Sequence, residues 1–210
     1  MSYQPSCFKN FQSDVLPEFL YCDTSFFVEA LIRNKRHNAA CAQFIKRLAE
    51  AKVILVFSTL LIAEFRCAIL SSCLRDEFGS DVKIMDMLRK KPELIKQYAP
   101  IIKNAEQALN DMLGSFESWS YIPLDEKISL AAQETMFKYR LASYDAIHIT
   151  TMEEWGINDI VVIDGGIEDL YHYKENCAIW TIDGYNRFKG RHPNNTSAKK
   201  KQVKPKLKKK

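Results

Sequence analysis

The chain has 210 residues, 47% hydrophobic and 27% charged, which is enough to bury the core of a single domain. The formal net charge is +4, but residues 191–210 hold nine of the 30 basic residues and no acid. Residues 1–190 therefore hold 21 basic against 26 acidic residues, a net charge of −5. The body is acidic and the tail is basic.

Several classes of protein are excluded by motifs that the chain lacks. No apolar stretch predicts a membrane span, and the first ten residues have neither the basic region nor the apolar run of a signal peptide, so a cytoplasmic location is expected. The cysteines are widely spaced, without a CxxC pair or clustered histidines. Neither a zinc site nor a disulfide framework is indicated, and most cysteines are expected to be reduced core residues.

The first half of the chain predicts alternating strands and helices. Residues 1–18 have no clear period and are expected to form an arm over the surface. Phe19–Asp23 is predicted to be a short buried strand that ends in an acid, and a helix follows. His37–Ala51 has apolar residues at helical spacing, and Lys52–Phe57 is the second strand. The helix after it carries Glu64 about a turn and a half from its start.

A long helical region is predicted next, over residues 71–118, with breaks at Gly79, Pro92 and Pro100. Its apolar residues recur every three or four positions, as in an amphipathic hairpin or cap packed on the sheet. We therefore expect a helical insertion at about 71–118 between the second and third strands. The main domain is expected to span residues 19–190, and residues 191–210 to form a disordered Lys-rich tail.

The second half repeats the alternation. Ser120–Asp125 is the third predicted strand, and Glu126–Arg140 is a helix. Ser143 is a good helix N-cap, which puts Asp145 in the first turn of the next helix. The remaining predicted elements are a buried strand at Asp159–Ile163 ending at Asp164, a short helical turn near Ile167–Tyr173 and a last strand at Cys177–Asp183. This order predicts an α/β fold with a parallel five-stranded sheet covered on both faces.

Most of the predicted strands end in an aspartate, namely Asp23, Asp125, Asp164 and Asp183. In open α/β sheets the functional crevice lies outside the carboxyl ends of the strands. Asp125 precedes a clear helix start and is expected to be its cap, while Asp183 precedes Gly184 and is expected to be a turn residue. Asp23 is followed by Thr24 and Ser25, either of which could cap the helix in its place, so its carboxylate is expected to be free.

Glu64 is the acid that is hardest to explain structurally, because its helix neighbours are mostly apolar. A lone buried carboxylate costs several kcal/mol unless it is paired or bound to a metal. If Asp23, Glu64, Asp145 and Asp164 converge, two of them ~4 Å apart repel by ~4 kcal/mol at an effective dielectric of ~20. The chain nearby offers no obvious internal Lys or Arg, so a divalent ion with oxygen ligands, Mg²⁺ or Mn²⁺, is expected to hold them.

The order and spacing of these motifs resemble the PIN-domain nucleases, and VapC-type toxins most closely. The likeness rests on Asp23-Thr-Ser, Glu64 on the helix after the second strand, SYDAIH around Asp145 and a strand-end Asp164. It covers roughly Phe19 to Asp183.

The resemblance implies a sandwich around a parallel five-stranded sheet and metal-dependent endoribonuclease cleavage of RNA. Asp23, Glu64, Asp145 and Asp164 would hold one or two Mg²⁺ or Mn²⁺ ions, and Ser25 would assist by hydrogen bonding. The family's strand-end motif often has Thr or Ser two residues before its Asp. Here Val162 stands there, and Trp180-Thr181-Ile182-Asp183 looks closer to that motif. Asp183 is therefore a rival for the fourth acid, although Asp164 is preferred on its distance from Asp145.

Partners follow from the resemblance and from the tail. An RNA substrate, an antitoxin protein inserted over the acidic crevice and a homodimer would be usual for the family. The Lys-rich tail, with Lys199, Lys200 and Lys201, would either add sequence-independent phosphate contacts or be a solubilising terminus. His148, one turn after Asp145, would either approach the substrate or, in the simpler interpretation, pack or bond locally.

Two other functions are compatible with the pattern. A phosphatase with an aspartyl nucleophile would also have an Asp at the end of the first strand, but it would normally have a second Asp two residues on, where this chain has Ser25. A catalytically weak or inactive PIN-like scaffold that binds nucleic acid or protein is the stronger rival. Failure to bind Mn²⁺ would favour the scaffold.

Overall fold

The computed structural model describes residues 7–12, 14–32, 35–163, 167 and 177–182. Six strands lie in this part of the chain: β1 (Phe8–Asn10), β2 (Phe19–Cys22), β3 (Ile54–Ser58), β4 (Trp119–Ile122), β5 (Asp159–Val161) and β6 (Ala178–Thr181). The helices described are α1 (Thr24–Leu31), α2 (Asn38–Glu50), α3 (Leu60–Phe78), α4 (Ile84–Lys90), α5 (Glu93–Leu113), α6 (Glu126–Tyr139) and α7 (Ser143–Glu154).

The strands form one parallel sheet in the order β1-β6-β5-β2-β3-β4. Their carboxyl ends therefore meet at one edge, which we name the carboxyl edge, and their starts meet at the opposite, amino edge. β2 lies between β3 and β5. The α/β fold with a parallel sheet predicted from the sequence is confirmed, with one strand more than expected.

Helices cover both faces of the sheet, and alternate residues along each strand enter two separate cores. Leu20 and Phe57 face the core that α1, α2, α3 and α5 complete, together with Phe26 and Phe65. Tyr21 and its neighbours on the other face contact the core built with α6 and α7. Burial of both faces explains why β2 and β3 have almost uninterrupted apolar sequences.

The additional strand comes from the segment that the sequence analysis placed in an N-terminal surface arm. Phe8–Asn10 pairs in parallel with β6 and forms the edge of the sheet. Phe8 and Phe11 are buried, and the Phe11 ring stacks on Phe44 with centroids 4.0 Å apart. Three residues are too few to produce a recognisable period, so this strand is recognised only by its tertiary contacts.

The helical region between β3 and β4 also differs from its predicted outline. α3 ends at Gly79, which has a φ of 92°, and Pro92 is the N-cap of α5, as the two predicted breaks imply. Pro100, however, lies inside α5. A proline interrupts one backbone hydrogen bond of a helix, but burial of Tyr98 and Leu109 on either side holds α5 together.

No helix in the described part of the chain is both long enough and apolar enough to span a membrane. The six cysteines all lie in that part and none forms a disulfide. Residues 191–210 and the predicted turn after Ile167 lie outside the described residues, so the expectations for them stay predictions.

Candidate active site

Asp23 lies at the carboxyl edge, between the end of β2 and the start of α1. It is the N-cap of α1: its Oδ2 accepts hydrogen bonds from the backbone N–H of Ser25 at 2.9 Å and from the Ser25 hydroxyl. The expectation that Thr24 or Ser25 caps this helix and leaves the carboxylate free was therefore wrong. The second oxygen of Asp23, Oδ1, points the other way and lies 3.7 Å from Nε2 of His148. One carboxylate thus has both a capping oxygen and a site-facing oxygen.

Glu64 reaches the same place from the second turn of α3. Its Oε2 accepts a hydrogen bond from the Thr24 hydroxyl at 2.5 Å and lies 2.9 Å from Nε2 of His148. The side chain keeps 21% of its surface exposed, so the carboxylate contacts solvent as well as the protein. The sequence shows no obvious internal Lys or Arg near these acids, and the structure provides His148 as their partner.

His148 is the centre of this cluster, and its side chain is only 1% exposed. Its Nδ1 lies 2.9 Å from the hydroxyl of Tyr21, a buried residue of β2. Its Nε2 faces Glu64 and Asp23. Hydrogen bonds therefore run from Tyr21 through His148 to Glu64 and Thr24, and they join β2, α7, α3 and α1 at one point.

The electrostatics favour a charged pair in this cluster. Burial acts to lower the pKa of His148, but the hydrogen bond to Glu64 and the negative charges of Asp23, Glu64 and Asp145 outweigh it and raise this pKa. Burial acts to raise the pKa of Glu64, and the hydrogen bonds and charge from His148 and Thr24 outweigh it and lower this pKa. Both shifts have the sign expected for an imidazolium beside a carboxylate.

The same atoms could hold a metal ion. One ligand atom from each of Asp23, Glu64 and His148 lies within 4.8 Å of the others. Atoms that bind one small divalent cation at about 2.0–2.2 Å each lie at most about 4.4 Å apart. The separations of 2.9 Å and 3.7 Å from Nε2 of His148 to the two carboxylate oxygens meet this limit. The donor set of two carboxylates and one imidazole therefore fits a divalent cation.

The remaining predicted site residues lie partly within the described chain. Asp145 is half-buried in the first turn of α7, as predicted, and its charge acts on His148, three residues further along the same helix face. Asp164 and Asp183 lie outside the described residues, as do Lys199, Lys200 and Lys201. The backbone N–H of Ile163, the residue before Asp164, donates to the Ser25 hydroxyl at 3.1 Å.

Sequence reasoning underestimated two members of the cluster. His148 was expected either to approach the substrate or to bond locally, and it bonds to Tyr21 and Glu64. The spacing of three residues from Asp145 was the available signal for a shared helix face. Tyr21 carried no such signal, because one tyrosine in a buried strand is ordinarily a core residue.

A parallel α/β sheet with carboxylates gathered at its carboxyl edge defines a class of enzymes whose site could hold a divalent metal. Comparison with protein families narrows this class, because the model of the PIN domain matches residues 20–171. The match covers well over half of the chain, so the chain belongs to the PIN domain family, whose members are nucleases.

The other two comparisons add less. Among solved structures, a similar chain is the Mycobacterium tuberculosis protein VapC20, described as a sarcin–ricin loop cleaving toxin. The alignment covers 72% of this chain and 94% of VapC20, with 15% sequence identity and a TM-score of 0.46. Comparison with functionally curated proteins gave no match.

Proposed function

We propose that this protein is a metal-dependent endoribonuclease of the VapC-like toxin type, which hydrolyses RNA phosphodiester bonds with Mg²⁺ or Mn²⁺. The observation that carries the proposal is the convergence of Asp23, Glu64 and His148 at the carboxyl edge of a PIN-family chain. Neighbouring carboxylates repel one another strongly, and a cation bound between them offsets this repulsion.

In this proposal Asp23, Glu64, Asp145 and Asp164 are the acids that hold the cation. When bound, the cation supplies the charge that polarises the scissile phosphate and favours the attacking form of water. The protein's own groups fix the acids in place. Ser25 donates to Asp23 and accepts from Ile163, and Thr24 donates to Glu64. These bonds limit the rotation of both carboxylates, which orients them before substrate arrives.

The strand order and two hydrogen bonds support Asp164 rather than Asp183 as the fourth acid. β5 neighbours β2, whereas β6 is one strand further away, and each step across a sheet is about 5 Å. The backbone N–H of Asp23 donates to the carbonyl of Val161 at 3.1 Å. The chain just before Asp164 also contacts Ser25 through Ile163.

The substrate, partners and location belong to the same proposal. The resemblance to VapC-type toxins is the reason for proposing RNA as substrate, an antitoxin as inhibitor, a homodimer and a cytoplasmic location. The Lys-rich tail, including Lys199, Lys200 and Lys201, would add phosphate contacts that weaken as salt concentration rises. Its boundary at residue 191, the domain limits 19–190 and the helical insertion at about 71–118 stay predictions.

The rival function is a PIN-like scaffold that binds nucleic acid or protein without cutting it. The contact of His148 with Glu64 favours this rival in one respect, because an internal imidazolium could compensate the acids without a metal. The two functions differ in metal binding. A nuclease requires Mg²⁺ or Mn²⁺ at the cluster, whereas a scaffold of this kind does not.

The decisive experiment is cleavage of a mixed RNA pool by the full chain with Mg²⁺ or Mn²⁺, against EDTA. The test variant is Asp23→Asn, because Asn caps a helix as well as Asp does and so preserves α1. The matched control is Asp125→Asn. Asp125 caps α6 at the same edge through the backbone N–H of Ile128, at 2.8 Å, and lies outside the cluster.

We expect metal-dependent cutting by the wild type and the Asp125→Asn variant, lost on addition of EDTA. Asp23→Asn should cut at least about 100-fold more slowly, because loss of a ligand should cost at least as much as loss of an outer-shell partner, about 10- to 100-fold. Comparison of Asp164→Asn with Asp183→Asn then tests which one is the fourth acid. Absence of both cutting and calorimetric Mn²⁺ binding in the wild type would establish the scaffold instead.

A further inference from the structure

His148 does more in the candidate site than neutralise acids. It is almost fully buried, yet its Nε2 faces the same space as the site-facing oxygens of Asp23 and Glu64. We propose that His148 is itself a metal ligand through Nε2, which makes the centre a mixed nitrogen and oxygen site that binds Mn²⁺ in preference to Mg²⁺. The inference rests on the proposed function, because it assigns the cation that this site would use.

The spacing of the three groups meets the requirement for binding one ion together. Nε2 lies 2.9 Å from Oε2 of Glu64 and 3.7 Å from Oδ1 of Asp23, and these are separations found between neighbouring ligands of one ion. The three side chains come from different elements, since Asp23 precedes α1, Glu64 lies on α3 and His148 on α7. They therefore surround a common point rather than lie along one helix face.

Tyr21 supplies the support that a ligating histidine needs. Its hydroxyl lies 2.9 Å from Nδ1, and both side chains are fully buried. When a cation replaces the proton on Nε2, the Nδ1–H donates to the Tyr21 oxygen and the lone pair of Nε2 binds the cation. Histidine ligands in proteins generally have a partner of this kind, which fixes the ring and its tautomer.

The donor set determines the preferred ion. Mg²⁺ favours oxygen ligands and retains several waters, so an imidazole nitrogen contributes little to its binding. Transition metals accept imidazole, and affinity for a given site rises along the series from Mn²⁺ to Cu²⁺. A site with two carboxylates and one imidazole should therefore bind Mn²⁺ more tightly than Mg²⁺, and removal of the imidazole should narrow that difference.

The primary test is pulsed electron paramagnetic resonance of Mn²⁺ bound to the full wild-type chain. We expect a ¹⁴N modulation from a directly bound nitrogen, replaced by a ¹⁵N signal when the protein is made with ¹⁵N-labelled histidine. In a His148→Gln variant the nitrogen signal should vanish. His37→Gln is the matched control, since His37 lies at the start of α2 away from the cluster, and it should keep the signal.

Calorimetry gives a second measurement that needs no RNA. Mn²⁺ affinity should fall at least about 10-fold in His148→Gln while Mg²⁺ affinity changes less. Tyr21→Phe keeps the ligand and removes its support, so the nitrogen signal should persist while Mn²⁺ affinity falls about 10- to 100-fold.

The outcomes separate this inference from the proposed function. Mn²⁺ bound to the wild type without nitrogen modulation would overturn the inference, leave the nuclease proposal standing and make His148 a positioning residue for Glu64. No binding of Mn²⁺ or Mg²⁺ to the wild type would overturn both. Because the spectrum of the wild type is decisive by itself, the test does not depend on the folding of any variant.

Discussion

The two edges of the sheet differ sharply in chemistry although the same strands build both. At the carboxyl edge, Asp23, Glu64 and His148 converge with hydroxyl groups that hold them. The amino edge has a cleft of about 510 Å³ lined mainly by apolar groups, among them Phe19, Ile54 and Trp155. The cleft is mainly apolar, whereas the groups that could hold a metal ion lie at the carboxyl edge.

The direction of the chain explains the difference. At the carboxyl edge each of β2, β3 and β4 leads into the start of a helix, where free backbone N–H groups and the helix dipole stabilise carboxylates. The amino edge receives chain that returns from helix ends, as at Trp155 after α7, where backbone carbonyls rather than N–H groups are left without helical partners. Asp residues that cap helices therefore recur at the carboxyl edge for a local reason, and tertiary structure can then use them together.

The largest expected effect comes from Asp145→Asn at the carboxyl edge. This variant removes a charge that acts on His148 and one of the proposed metal-holding acids, so RNA cleavage should fall at least about 100-fold. Glu126→Gln is the matched control, because it removes an exposed first-turn charge from α6 at the same edge. The cleavage rates of both variants are measured with Mn²⁺. An equal fall in the two rates would contradict the role of Asp145 as a metal-holding acid.

A smaller effect is expected for Thr24→Val, which replaces the hydroxyl group that holds Glu64 by a methyl group of similar size. Loss of that hydrogen bond should lower Mn²⁺ affinity and cleavage about 10- to 100-fold. Thr24→Ser retains the hydroxyl and should restore most of the affinity. Calorimetric titration of the two variants with Mn²⁺ tests this, and equal affinities would show that the bond does not orient Glu64.

At the amino edge, Trp155→Ala should leave cleavage unchanged. The side chain is 59% exposed and only lines the cleft, so the free energy of unfolding should change by less than about 1 kcal/mol. Urea denaturation and the RNA assay measure the two quantities. A loss of cleavage comparable to that of Asp145→Asn would mean that the amino edge takes part in the reaction.

The smallest effect is expected for Asp159→Asn, also at the amino edge. Asp159 accepts a hydrogen bond from Trp180 at 2.8 Å, and burial raises its pKa against the opposing effects of Trp180 and Lys9. Because the folded pKa lies above the unfolded one, ionisation of this carboxyl destabilises the fold as pH rises through the folded pKa.

Asn keeps an acceptor for Trp180 and cannot ionise, so the variant should gain stability relative to wild type between about pH 4 and pH 7. Urea denaturation at these two pH values tests the sign, and RNA cleavage should be unchanged. A variant that instead lost stability toward pH 7 would show that the charged carboxylate is favoured in the fold.

Local patterns predicted those parts of the fold that depend on neighbouring residues. The strand before Asp23, the helix that carries Glu64 and the cap at Asp125 follow from short-range chemistry, and the structure confirms them. The edge strand at Phe8–Asn10 and the continuity of α5 through Pro100 could not be predicted in the same way. Both depend on partners that are distant in sequence.

The sequence by itself determined that acids follow the strands, because strand ends, helix starts and the preference of Asp for caps are all local. It also determined the spacing that puts Asp145 and His148 on one face of α7. Only the tertiary structure decided that Asp23 would use one oxygen as a cap and the other in the site, and that Tyr21, 127 residues from His148, would hold its ring. A hydrogen bond between distant residues requires the packed sheet, and no local pattern encodes it.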